Sequence, residues 1–175
     1  MAITFREIRK YFARNVRLSI CFEAGYYHNY LMVSDIPSQK YDRFYIYGIG
    51  MAIVEFSMDV YSTPPEQDGV VFSSRDDILK PAMEIVLHEK PREIKRSTDE
   101  NLLFRDMKPY LQMDGIFSVV NREDWSYELY EYGNDIPQKY DNMYVYGIGM
   151  EENSDTEDLL KECQRMVIVL SDKPK

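Results

Sequence analysis

Cysteine and histidine are scarce, with two of each in 175 residues. A structural zinc site takes three or four nitrogen or sulfur ligands, and a serine or cysteine hydrolase needs a positioned base. Cys21, Cys163, His28 and His88 are scattered through the chain and form no motif for either chemistry, so no metal, no cofactor and no catalytic residue is expected. The cysteines also fall at unmatched positions, which predicts two buried thiols rather than a disulfide. Long apolar runs are missing too. The stretch Met166 to Leu170 is strand-sized, against roughly 20 residues for a bilayer span, and MAITFREIRK has no apolar signal core. A cytoplasmic protein without membrane contact is expected. Positive charge is short, with 21 Lys plus Arg against 30 Asp plus Glu, so direct nucleic-acid binding is not expected.

What is present is a core-forming composition, 45% hydrophobic and 14% aromatic, written twice. DIPSQKYDRFYIYGIGM (35–51) returns as DIPQKYDNMYVYGIGM (135–150), with thirteen of sixteen letters kept once Ser38 is set aside as an insertion. Upstream, FREIRKYF matches FRDMKPYL, and downstream MEIVLHEKPR matches MVIVLSDKPK. The copies run over 1–92 and 100–175, joined by the polar linker 93–99, and the first carries a Pro-rich insertion at about 57–73.

Each copy predicts the order helix, three strands, helix, strand: an α+β fold with internal duplication and antiparallel sheets. Phe5, Ile8 and Phe12 recur at helical spacing, as do Phe104, Met107 and Leu111, where Pro109 predicts a bent or early-ending helix. Val16, Leu18, Ile20 and Phe22 alternate as a half-buried strand does. A second strand is predicted near Tyr30 to Ser34 and Tyr127 to Tyr132, closed by the Asp-Ile-Pro turn, and the third is FYIYGIG or MYVYGIG. Ser154 with Glu157, and Ser74 with Asp77, signal the second helix.

The Gly48–Gly50 and Gly147–Gly149 pairs sit where a dinucleotide fingerprint would, but the third glycine is absent; a β-bulge or a close contact only glycine tolerates is the better reading. Asp35, Asp42, Asp135 and Asp141 flank the turns, where an aspartate most often bonds its own backbone. Tyrosine, at 15 positions, is the unusual residue; Tyr45 with Tyr47, and Tyr144 with Tyr146, define one strand face, either a packing surface or a binding platform.

Charge separates the copies. Lys plus Arg against Asp plus Glu is 11 to 12 in residues 1–92 but 8 to 16 in 100–175. The densest run is EENSDTED, and a duplication does not require one half to turn acidic. Arg6, Arg9, Lys10, Arg14 and Arg17 make the first helix and its margin the opposite.

The repeated DIPxxKYDxxYVYGIGM unit resembles small uncharacterised bacterial and mobile-element proteins with the same turn and strand, a resemblance that implies no activity. In size, acidity and tyrosine content the chain also resembles phage-encoded inhibitors of nucleic-acid enzymes, anti-CRISPR proteins among them. The expected function is a non-catalytic inhibitor whose acidic copy occupies a basic surface of a partner such as a nucleic-acid enzyme. Its expected contact residues are Glu151, Glu152, Asp155, Glu157 and Asp158 with Tyr144 and Tyr146. Two alternatives stand beside it: a small metal-dependent or hydrolytic enzyme built on Asp35, Asp42 and His88, and a structural homo-oligomer, such as a homodimer, joined through tyrosine-bearing strands.

Overall fold

Thr4 opens the first helix by a reciprocal cap: its hydroxyl accepts from the Glu7 amide, and the Glu7 carboxylate accepts from the Thr4 amide. In this computed structural model, which describes residues 2–22, 25–37, 39–55, 79–111, 115–151 and 165–175, that helix is short (α1, Phe5–Arg9) and buries Phe5 and Ile8. Its counterpart (α2, Phe104–Met107) gives way to a 3-10 turn, Lys108–Tyr110, at the proline expected to end it early.

Two strands follow in each copy, β1 (Leu18–Phe22) and β2 (Tyr27–Tyr30), then β5 (Ile116–Asn121) and β6 (Tyr127–Tyr130). β2 lies earlier than the expected span, sharing only Tyr30 with it, and β6 stops at Tyr130, two residues short of the expected end. Beyond them the chain closes into 3-10 turns, Val33–Asp35 and Gly133–Asp135, before each proline. Ile36 (φ −71°, ψ 120°) and Ile136 (φ −65°, ψ 119°) are extended, as a following proline requires, and the Asp35 carboxylate accepts from the Met32 amide. Both isoleucines are buried, and their carbonyls accept from Arg9 and Lys108, basic residues at matching places in the copies.

The third strands run longer than expected, β3 (Tyr45–Glu55) and β7 (Tyr144–Glu151), and pair with the last, β4 (Leu79–His88) and β8 (Arg165–Ser171). The helices expected from Ser74 and Ser154, the insertion at 57–73 and Cys163 lie outside the described residues. The sheet orders are β2-β1-β4-β3 and β6-β5-β8-β7, so the duplication holds at the level of topology. The outer ladders are antiparallel as expected, while β1–β4 and β5–β8 run parallel, which makes both sheets mixed.

A bulge interrupts β3 between Ile46 and Gly48, and β7 between Val145 and Gly147. It breaks the two-residue alternation, so Ile46 and Ile49, three apart, are both fully buried, as are Val145 and Ile148. The other copy docks along the strand at the paired glycines. Residues 11–13 add beside β7, where the Ile148 amide donates to the Tyr11 carbonyl and the Ala13 amide to the Ile148 carbonyl, both at 2.8 Å. Leu111 bridges Ile49 in the same way. A Cβ on Gly149 would lie 3.8 Å from that of Ala13, an ordinary contact, so alanine would fit and the expectation that only glycine is tolerated is too strict.

Two tyrosines complete the exchange. The Tyr11 hydroxyl accepts from the Leu102 amide at 3.2 Å, and the Tyr110 hydroxyl from the Ile3 amide at 3.3 Å. Both rings are buried, and one core cluster draws on both copies. The linker is fixed to this frame. Arg96 pairs with Glu7 at 2.5 Å, while Ser97 donates its amide and hydroxyl to the buried Asp106, the residue matching Glu7. Arg92 lies against Tyr110 and Lys175 against Tyr11, closing the two copies in equivalent ways.

Tyr11→Phe and Tyr110→Phe each leave a buried amide without its acceptor, so each is expected to lower stability by about 1–2 kcal/mol in urea unfolding. Because one core serves both copies, wild type and variants should unfold in a single transition; separate transitions would contradict the shared core. Burial disfavours the Glu7 carboxylate, but the Thr4 amide, Arg96 and the Thr4 hydroxyl outweigh it and hold its pKa below the ordinary 4.5. A carboxylate depressed on folding contributes stability above its unfolded pKa and loses it as pH falls through the folded value. In Glu7→Gln, the stability lost on acidification below 4.5 should therefore be smaller than in wild type; an unchanged acid limb would remove Glu7 from that role.

Candidate functional site

Among the described residues, the strand orders place β3 and β7 beneath the exchanged segments and leave β2 and β6 as outer edges. An uncovered edge offers unpaired amides and carbonyls to a partner. The β6 edge carries more than that. From Glu123 to Asp135 the sequence holds five carboxylates and no Lys or Arg, interleaved with Trp125, Tyr127, Leu129 and Tyr132. All four of these apolar side chains are exposed, Trp125 at 69% and Tyr127 at 63%. Residues 23–35 of the first copy hold two carboxylates, so the architecture does not need the charge.

Local bonds shape the β5–β6 hairpin. The Trp125 amide donates to the Asn121 carbonyl at 2.8 Å, the Glu123 amide to the Asn121 side chain, and the Ser126 amide and hydroxyl to the Asp124 carboxylate. Trp125 takes the left-handed conformation, φ 58°, where the shorter hairpin of the first copy uses Gly25 at φ 81°. Arg122 lies over the Tyr146 ring at 3.9 Å, and Glu123 accepts from the Ser171 hydroxyl and the Asp172 amide, so the hairpin base is tied to the end of β8. The Ser171 hydroxyl lowers the Glu123 pKa, the Ser126 hydroxyl that of Asp124, and Lys139 that of Glu128, so these carboxylates stay ionised well into the acid range.

The residues expected from sequence do not all gather here. Tyr144 is half-buried and donates to Asp99 at 3.3 Å. Tyr146 lies half-buried under Arg122 and Lys175. Both are engaged within the chain, and the bulge ends the simple face on which they were placed. Glu151 is exposed at the far end of β7, about 23 Å from Tyr144 at the usual strand rise, opposite Arg165. Glu152, Asp155, Glu157 and Asp158 lie outside the described residues. The acidic β6 hairpin was missed because charge density was sought in one unbroken run; the alternation of acids with aromatics in NREDWSYELYEYGND, which includes the chain's one tryptophan, is the signal for it.

No family model, curated protein or solved structure matches this chain. The site therefore rests on its own geometry. Asp35 caps its turn, Asp42 faces a concavity with Arg6, Lys40 and Arg43, and His88 stacks on Tyr47 at 4.5 Å beside a different cavity. Among the described residues no three His, Cys, Asp or Glu side chains converge on a metal position. His28 is exposed on β2 with the Phe22 and Tyr41 rings beside it; burial, then Lys40, lowers its pKa. Cys21 is half-buried rather than fully buried.

The left-handed backbone at Trp125 carries a strain of about 1–2 kcal/mol that glycine does not. After allowance for the extra freedom of an unfolded glycine, Trp125→Gly is expected to keep stability unchanged or raise it by up to about 1 kcal/mol in urea unfolding. A clear loss would mean that the ring contributes packing despite its exposure.

Proposed function

We propose that the chain is a non-catalytic binding protein whose acidic second copy occupies a basic, nucleic-acid-binding surface of a partner, acting as an anti-CRISPR or similar anti-defence inhibitor. The observation that carries this reading is the β6 hairpin, where exposed aromatic rings alternate with ionised carboxylates on an open sheet edge. Rigid, partly polar rings supply contact area at low entropic cost, and the carboxylates supply complementarity to lysine and arginine. Such a surface repels phosphate backbones and mimics their charge.

The test is displacement of labelled nucleic acid from a panel of purified basic-groove enzymes, RNA-guided nucleases included, followed by fluorescence anisotropy. Displacement is expected at about 0.1 M salt and should fade toward about 1 M, as the screening length drops from about 10 Å to about 3 Å. Reversing Glu128 and Glu131, both exposed on the β6 edge and outside the bonds that shape the turn, to lysine should abolish it with the fold unchanged by circular dichroism. Failure to displace from any enzyme, or equal displacement by the reversed variant, would defeat the reading.

A further inference from the structure

We propose that the first copy carries a pocket, formed by Arg6, Lys40 and Arg43 between α1 and the Asp-Ile-Pro turn, for a small phosphate ester that also bears hydroxyl groups. The site goes beyond the inhibitor reading and does not depend on it. Its concavity, of about 510 Å³, is lined by those three cations with Gln39 and Asp42. None of the three cations makes an ion pair with a described residue. Lys40 is instead set by aromatic groups. Its amine donates to the Tyr30 hydroxyl at 3.2 Å and lies 5.1 Å from the centre of the Tyr41 ring, while the Arg43 guanidinium lies 5.3 Å from that of Phe44. Ring faces and a phenol orient these cations without cancelling their charge.

The second copy is the internal control. There Lys139, matching Lys40, is paired with Glu128 at 2.6 Å; Arg105, matching Arg6, donates to Asn142, which stands where the first copy has Arg43. The same scaffold thus holds the matching cations in bonds within the chain. The first copy also inserts Ser38, and Gln39 beside it adopts φ 64°, whereas the matching Gln138 begins a 3-10 turn. The matching turn forms without that left-handed glutamine, a conformation uncommon for residues other than glycine. Asp42, the one carboxylate of the pocket, would repel a bare phosphate and accept from a ligand hydroxyl.

The experiment follows backbone amide NMR signals of residues 39–43 in the full chain, titrated with inorganic phosphate, ribose 5-phosphate and a short single-stranded DNA. Ribose 5-phosphate is expected to shift these signals with saturation. Lys40→Gln and Arg43→Gln should each weaken it about tenfold, while Arg105→Gln in the second copy leaves it unchanged. Asp42→Asn should tighten phosphate and reduce the preference for the sugar phosphate. Inorganic phosphate bound as tightly as the sugar phosphate would overturn the hydroxyl-selective part. A response to DNA alone, or to none of the three, would overturn the proposal; all four targeted side chains lie at the surface or partly so, and unchanged signals elsewhere verify that each variant is folded.

Discussion

The structure depends on a reciprocal strand exchange. Each sheet has one bulged strand with two close glycines; its own copy pairs only the start of that strand, through Thr4 with Tyr45 and Leu103 with Tyr144, and the rest of the edge would be bare if that copy stood alone. The segment after each short helix covers the other copy's edge, and the tyrosine in that segment then reaches on to a backbone amide near the start of the partner unit. A five-residue helix has little intrinsic stability and needs tertiary packing to persist. That packing comes from a core to which neither copy contributes alone.

This constraint explains the sequence repeated between residues 35 and 150. The proline fixes an extended isoleucine, the isoleucine is buried, and its carbonyl accepts a hydrogen bond from the basic residue at the end of the helix, Arg9 or Lys108, which sets the helix against the turn. The bulge falls at the tyrosine before the first glycine, and the strand beyond it is the docking edge. Substitutions there would disturb two elements together. The linker shows the same economy, because Glu7 and Asp106, at matching positions, hold its adjacent residues Arg96 and Ser97.

The repeat, the short first helices, the early stop at Pro109 and the bulge were legible because each leaves a local mark: letter identity, three-residue spacing, a missing amide, paired glycines. The parallel pairing of β1 with β4 left none, since alternation reports which face a strand buries and not which strand lies beside it. The candidate site was half legible. The acidity of the second copy was plain, but the search for one dense run passed over Glu123, Asp124 and Glu131, which become a surface only when β6 takes the edge. Tyr144 and Tyr146 were placed on a face by a period that the bulge had already broken.

A duplicated fold separates what structure demands from what it merely permits. Positions where the copies agree are explained by the exchange, so function should be sought where they differ and where the difference carries a local strain. Among the described residues, two other than glycine have positive φ: Gln39 and Trp125. One stands in the cationic pocket of the first copy and the other at the tip of the acidic hairpin of the second. At the matching places the opposite copy uses a 3-10 glutamine and a glycine, conformations without that strain. Two strained residues kept where an unstrained version is written in the same chain are hard to explain by folding alone, and they direct attention to the two surfaces on which the copies have parted.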